Sequence, residues 1–155
     1  MTGIHAIYDM LSWKNTPEIR LKGIRLAEEV RDLSLLIQPP AEPSVWECCA
    51  QILYAKSDLE LTPYLKYLLE WLQDLNSPGA LTILTRLKTF SGKKLKEPFL
   101  SCFSQAVGYC NDDGLAWLDY LSELLDNEEL KAELPQDVIE KMQIHYHNWG
   151  AWRNN

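Results

Sequence analysis

The side chains with the widest chemical repertoire in this sequence are four cysteines, Cys48, Cys49, Cys102 and Cys110. No two of them have the Cys-x-x-Cys spacing of a zinc site or a redox-active pair. Cys48 and Cys49 fall in the apolar stretch 45–54, which suits buried thiols. We therefore expect reduced cysteines without a metal, in a protein of a reducing compartment.

Histidine offers little more for metal binding. The three histidines are His5, His145 and His147. The last two are separated by one residue, which on a helix places their imidazoles on nearly opposite sides. No carboxylate or third imidazole is near enough in sequence to complete a metal site with them. We expect His145 and His147 to be surface residues.

Motifs of nucleophilic and phosphate chemistry are missing from the sequence. There is no Gly-x-Ser-x-Gly elbow and no Gly-x-x-x-x-Gly-Lys loop, and glycine occurs only seven times. A catalytic carboxylate pair could form among the acids of residues 112–123. One carboxyl of such a pair acts as a general acid, and an apolar pocket is needed to raise its pKa. The sequence does not show such a pocket, so we predict neither an enzyme nor a cofactor.

Negative charge is concentrated in residues 111–140. This segment holds ten acids and one base, Lys131, for a net charge of −9, whereas the whole chain carries −7. The acids are interleaved with Trp117, Tyr120 and Leu124, which can anchor an interface with a basic protein. A solvated helix face would show the same composition. If the segment binds a partner, the predicted contact residues are Asp112, Asp113, Trp117, Asp119, Tyr120, Glu123 and Asp126.

Two other groups of residues offer alternative surfaces. A short basic cluster precedes the acidic segment, but it is mostly assigned to a loop and is too small for a nucleic-acid groove. Its members are Arg86, Lys88, Lys93, Lys94 and Lys96. An aromatic stripe of Tyr64, Tyr67 and Trp71 follows helical spacing, and we expect it to pack against neighbouring helices.

The elements that position these side chains belong to one folded domain. A chain of 155 residues, 46% of them hydrophobic, is long enough to bury its own core. Its apolar runs are far shorter than the roughly 20 residues that span a bilayer, and its first residues do not resemble a signal peptide. The negative net charge disfavours nucleic acids and anionic membranes as partners. We expect a single cytoplasmic domain over residues 1–155, of unknown oligomeric state.

Helical signals recur along the chain, and no strand pattern competes with them. The pairs Thr16-Pro17, Thr62-Pro63 and Ser77-Pro78 each combine a hydroxyl N-cap with proline at the first helical position, which predicts three helix starts. Apolar positions at helical spacing follow each start. Further helices are expected over residues 4–13, 32–37, 44–55, 97–109, 112–126, 128–133 and 136–148, with a loop at 93–96. The predicted fold class is all-α, with about eight or nine helices and no β-sheet.

A weak internal repeat suggests how these helices are arranged. Shifting residues 4–27 by 61 positions places Asn15-Thr16-Pro17 over Asn76-Ser77-Pro78, with apolar helices on both sides of each corner. The same helical hairpin is then used twice. Hairpins that are apolar on both sides must stack, so the repeat predicts a short right-handed α-α superhelix.

The corner at residues 68–80, Leu-Leu-Glu-Trp-Leu-Gln-Asp-Leu-Asn-Ser-Pro-Gly-Ala, resembles that of a HEAT-type repeat. More narrowly, residues 45–90 resemble a family of small bacterial HEAT-like proteins that is catalogued as a domain of unknown function. Some of its members are associated with immunity proteins of contact-dependent and polymorphic toxin systems. The residues that fit the pattern are Trp46, Asp58, Trp71, Asp74, Asn76, Pro78 and Gly79, whereas Ser77 stands where the family often has tryptophan. The resemblance implies a superhelix and toxin neutralisation, without catalytic residues.

Three functions follow as hypotheses. The first is a non-enzymatic protein-binding module, most concretely an immunity protein that masks a basic toxin domain. The second is a generic cytoplasmic scaffold or adaptor. The third is a HEAT-like nucleic-acid repair enzyme, which would need a basic concave surface.

Overall fold

The chain folds into helices, and the longest connection in the described part, residues 28–45, contains two 3-10 turns. A computed structural model describes residues 3–147, with side chains for residues 3–143. In this part of the chain 74% of the residues are helical and none lies in a strand, which confirms the all-α prediction. Nine of the described helices have six residues or more, and α4 is a single turn. The helices are α1 (Ile4–Leu11), α2 (Pro17–Ala27), α3 (Trp46–Tyr54), α4 (Asp58–Leu61), α5 (Leu65–Trp71), α6 (Ala80–Leu87), α7 (Gly92–Tyr109), α8 (Asp112–Ser122), α9 (Glu128–Glu133) and α10 (Gln136–His147).

Four 3-10 turns connect or extend these helices. They are Leu33–Leu36, Pro43–Val45, Thr62–Tyr64 and Glu123–Asp126. None of the helices in the described range is long and apolar enough to cross a membrane. The side chains of His145 and His147, and the expected helix end at Asn148, lie outside the described residues.

The first predicted corner forms as the sequence indicates. Thr16 caps α2 by accepting the N–H of Ile19, and Pro17 occupies the first position of the helix. The side-chain amide of Asn15 donates to the carbonyls of Asp9 and Met10 and so satisfies the end of α1. The two helices therefore turn back on each other as the predicted hairpin.

The second and third predicted helix starts are wrong. Thr62 does not cap a helix, because its hydroxyl donates to the carbonyl of Asp58 at 2.6 Å. The chain is already helical there, since Ser57 and Glu60 form a capping box that starts α4. Ser77 donates its hydroxyl to the carbonyl of Asp74 at 2.8 Å and likewise caps nothing.

Helix α6 begins at Ala80 and not at Pro78, and Gly79 is the residue immediately before it. Gly79 has φ of +86°, in the left-handed region that glycine adopts without strain. A Cβ there would lie 2.6 Å from Cζ2 of Trp71 and 2.8 Å from the carbonyl oxygen of Trp46. The rings of Trp46 and Trp71 meet edge to face at 6.3 Å, and Nε1 of Trp71 donates to the carbonyl of Pro78. Trp46, Trp71, Pro78 and Gly79 together build this tight corner.

Helix α7 is longer than predicted. It begins at Gly92, because the hydroxyl of Ser91 accepts the N–H of Lys94, and so residues 93–96 are helical and not a loop. Ser91-Gly92 is typical of a helix end, and Pro98 is typical of a helix start, which explains the wrong prediction. In the structure Pro98 lies inside the helix.

Helices that are not consecutive lie side by side. Helix α3 packs on α6, and α5 packs on α7, while α7 also contacts α8 and α9. The hydroxyl of Thr82 on α6 donates to Glu47 on α3. Helix α10 packs on α8. The right-handed superhelix stays a prediction.

A cluster around Asp58 ties three of these elements together. Nη2 of Arg86 lies 2.6 Å from Oδ1 of Asp58 and also donates to the carbonyl of Lys56. The second oxygen of Asp58 accepts the N–H of Ser91, at the start of α7. The Arg86 guanidinium lies 5.2 Å from the ring centre of Phe90. The side chain of Arg86 is therefore used within the fold.

Candidate protein-binding surface

Helix α8 carries most of the predicted contact residues, and its start is well defined. Oδ1 of Asn111 accepts the N–H of Gly114 at 2.9 Å and caps the helix. A Cβ on Gly114 would lie 2.4 Å from the carbonyl oxygen of Ala106, so glycine lets α8 pack closely on α7. The orientation of α8 is thereby set by α7.

The two sides of α8 differ in character. Trp117, Leu118 and Leu121 are buried and face the core. Asp112 and Asp119 are seven residues apart, which places them along the opposite side of the helix, and Glu123 follows four residues later in the 3-10 turn that continues α8. We call this row of carboxylates the acidic stripe. The residues nearest to solvent among the predicted contacts are Asp112, Asp113 and Asp126, while Asp119, Tyr120 and Glu123 are half-buried.

The prediction of Trp117 as a contact residue is wrong. Its side chain has no exposed area, and its Nε1 donates to the carbonyl of Leu69 at 3.1 Å. The ring of Tyr109 stacks on it at 5.9 Å with an angle of 29°. Leu124 is also fully buried. Trp117 and Leu124 therefore hold α8 and the following turn in place and do not reach a partner.

Glu123 and Asp126 are paired with Lys88 within the chain. Nζ of Lys88 lies 3.2 Å from Asp126 and 3.9 Å from Glu123. This contact joins the end of α6 to the 3-10 turn after α8. Ion pairs of such exposure stabilise a fold by at most about 1 kcal/mol. Lys88 thus offsets part of the negative charge, and no sequence pattern indicates this pairing directly.

The positions of the other acids have a structural explanation. Asp112 and Asp113 lie in the first turn of α8, Glu128 and Glu129 in that of α9, and Asp137 in that of α10. Carboxylates are stabilising there because the N-terminal end of a helix carries partial positive charge. Half of the ten acids in residues 111–140 are therefore favoured by helix ends, whether or not a partner binds.

Glu129 has a further structural contact. Its Oε1 accepts the N–H of Gly92 at 3.0 Å, so α9 satisfies an amide at the start of α7. A Cβ on Gly92 would lie 2.3 Å from the backbone of Glu129. The two helix starts consequently touch, and exposed Lys93 and Lys94 lie close to this acidic end of α9.

Two open clefts border α8. One has a volume of about 200 Å³ and is lined by Ser122, Glu123, Leu125, Asp126 and Gln143. The other has a volume of about 420 Å³ and is lined by Gln73, Tyr109, Asn111 and Asp113. We call the second one the Tyr109 cleft. Sequence reasoning missed it because Gln73 follows α5 and meets the α7–α8 corner only in the folded chain.

The titrating groups with raised pKa values belong to elements other than α8. Burial raises the pKa of the Cys49 thiol and that of the Cys102 thiol to about 12, and it also raises the pKa of Cys48 and of the Tyr8 hydroxyl. These three cysteines are buried as free thiols, whereas Cys110 is exposed. Among the side chains of residues 3–143 no group of three or more His, Cys, Asp or Glu is arranged to hold a metal ion.

Comparison with known proteins leaves this surface without a precedent. No protein-family model, curated protein or solved structure matches the chain. The HEAT-like resemblance of residues 45–90 therefore stays a prediction.

Proposed function

We propose that this chain is a non-enzymatic protein-binding module that recognises a basic protein. Its binding surface is the acidic stripe together with Asp113, Tyr120 and Asp126. In its most concrete form it is an immunity protein that neutralises a basic toxin domain. This specific form depends on the HEAT-like resemblance, whereas the acidic surface supports the general one.

The observation that carries the proposal is the separation of charge. Residues 111–140 carry −9, so the remainder of the chain carries +2. Asp112 is exposed, Asp119 and Glu123 are half-buried, and the three follow one another along α8 and the 3-10 turn that continues it, beside half-buried Tyr120. A surface of one sign raises the rate of encounter with an oppositely charged protein, and a tyrosine beside it provides apolar contact area.

The experiment measures association with the proteins encoded beside this gene. Each neighbour is purified and its association rate is measured by surface plasmon resonance, at low salt and at roughly 0.5 M salt, where the screening length is about 4 Å. For a basic partner we expect fast association at low salt that slows by about tenfold or more at high salt. For a toxin we expect coexpression of this chain to restore growth.

The matched variants change the same charge at two places. Asp119→Lys with Glu123→Lys reverses the acidic stripe, while Glu28→Lys with Glu29→Lys makes an equal change at the exposed end of α2. We expect the first pair to slow association at low salt much more than the second. Circular dichroism of both variants controls for folding. Equal rates for the two variants, or no basic partner among the neighbours, would contradict the proposal.

A further inference from the structure

We propose that the Tyr109 cleft is a subsite for an arginine side chain of the basic partner. The inference deepens the proposed function and depends on it for the identity of the partner. It is based on the Tyr109 ring, the Asp113 carboxylate and the Gln73 amide, which all line this cleft. The cleft is formed by Gln73, which follows α5, and by the corner between α7 and α8.

The ring of Tyr109 is a fixed platform at this corner. Trp117 stacks against it, with the ring centres 5.9 Å apart, and is itself held by the hydrogen bond to the Leu69 carbonyl. Tyr109 is nonetheless 38% exposed and lines the cleft. Nε2 of Gln105 donates to the phenol oxygen at 2.9 Å and fixes the ring further. A planar guanidinium stacks favourably on such a ring.

Two polar groups of the cleft can accept hydrogen bonds from that guanidinium. Asp113 is exposed, and among the described residues its carboxylate has no ion-pair partner. The side-chain oxygen of Asn111 is already used to cap α8. The Asp113 carboxylate and the amide oxygen of Gln73 remain as acceptors, and arginine offers five N–H donors in one plane.

The shape of the cleft favours a protein side chain over a free small molecule. Small-molecule sites enclose most of the ligand surface in an apolar cavity. The Tyr109 cleft is open, and Gln73, Asn111 and Asp113 in its lining are exposed polar residues. Asp113 and Tyr120 lie seven residues apart on one side of α8, so the cleft is continuous with the proposed binding surface. A partner that covers the acidic stripe could therefore place an arginine in the cleft.

The first experiment titrates the full chain with N-acetyl-arginine methylamide and follows amide signals by 1H–15N NMR. We expect saturable shifts of the side-chain amides of Gln73 and Asn111 and of the backbone amides of residues 109–113. The matching lysine compound should bind more weakly, and the uncharged citrulline compound should cause no such shifts. Equal shifts with citrulline, or arginine-induced shifts only elsewhere, would overturn the proposal.

Variants test whether the Tyr109 ring and the Asp113 carboxylate bind the arginine compound. Tyr109→Leu and Asp113→Asn should each weaken arginine binding by about two- to fivefold, which corresponds to an exposed cation–π contact or ion pair. Tyr109→Phe keeps the ring and should bind nearly as well as the natural chain. Tyr67→Leu and Asp137→Asn are matched controls at an exposed tyrosine and at a first-turn acid. If Tyr109→Leu fails to fold, Asp113→Asn and the comparison of the arginine compound with the citrulline compound still decide the question.

The same variants separate this inference from the proposed function. A basic partner whose binding is weakened by reversing the acidic stripe, but not by Tyr109→Leu or Asp113→Asn, would overturn the arginine subsite alone. Arginine binding at the cleft without any basic partner among the neighbours would contradict the proposed function and leave the cleft's preference for arginine standing.

Discussion

Trp46, Trp71 and Trp117 each donate the indole N–H to a backbone carbonyl, at Pro39, Pro78 and Leu69 respectively. A large aromatic side chain can be buried at little cost only when its polar atom finds such a partner. The carbonyls of Pro39 and Pro78 lie outside the α-helices, and that of Leu69, which also accepts the N–H of Leu72, lies in the last turn of α5. Single tryptophans therefore fix the positions of neighbouring elements, and Trp117 does so for the helix that carries the acidic stripe.

Replacing Trp117 should affect folding before it affects binding. We expect Trp117→Ala to lower the free energy of unfolding by about 3–5 kcal/mol, because it leaves a cavity in the core. Tyr67→Ala, at a side chain that is 54% exposed, should change it by no more than about 0.5 kcal/mol. Urea unfolding followed by circular dichroism measures both. A Trp117→Ala protein as stable as the natural chain would show that the residue is not part of the core.

At the scale of elements, similar sequences start helices in different ways. Asn15-Thr16-Pro17 and Asn76-Ser77-Pro78 look alike, yet only Thr16 caps the helix that follows. At the second corner, the indole N–H of Trp71 donates to the carbonyl of Pro78, and Gly79 adopts a left-handed conformation immediately before α6. The local pattern is overridden there by packing between α3, α5 and the corner.

Alanine substitutions at the two corners should separate these roles. Thr16→Ala removes a helix cap and should cost about 0.5–2 kcal/mol of unfolding free energy. Ser77→Ala removes only an exposed hydrogen bond to the Asp74 carbonyl and should cost less than about 0.5 kcal/mol. Urea midpoints of the two variants test this expectation. A larger loss for Ser77→Ala than for Thr16→Ala would contradict the assignment of the caps.

At the scale of the whole molecule, one continuous core joins the described helices. It runs from Leu11 on α1 through Trp71 and Phe99 to Met142 on α10. Asn127 is buried within it, and its amide donates to the carbonyls of Leu87 and Phe90 while its oxygen accepts the N–H of Leu130. Because no part has a core of its own, we expect the chain to unfold as one cooperative unit.

The reactivity of the cysteine thiols during urea unfolding tests whether the chain unfolds as one unit. Burial raises the pKa of the Cys49 and Cys102 thiols to about 12, so at pH 8 they should stay protonated and unreactive in the folded chain. Exposed Cys110 should react with a thiol reagent at once. As urea is added, Cys49 and Cys102 should lose protection at the same concentration, as measured by mass spectrometry of labelled peptides. Two well-separated midpoints would contradict a single domain.

Periodicity and capping signals predicted the local features of the fold. The apolar spacing fixed which face of α6 is buried, since Ala80, Ile83, Leu84 and Leu87 all lie in the core. The limits of α9 and the start of α8 also agree with the prediction. These features depend on residues within one or two helical turns, and this is why a single sequence contains enough information to predict them.

The surface was decided by contacts between residues distant in the sequence. The sequence pattern predicted an acidic segment but not its long-range contacts. These contacts are the hydrogen bond from Trp117 to the Leu69 carbonyl, the ion pair of Lys88 with Asp126, and the cleft that Gln73 and Tyr109 line together. Helical spacing cannot tell a core tryptophan from an interface anchor, because both stand on an apolar side of the helix. Only the packing of α8 against α5, α7 and α10 determines which of its residues a partner can reach.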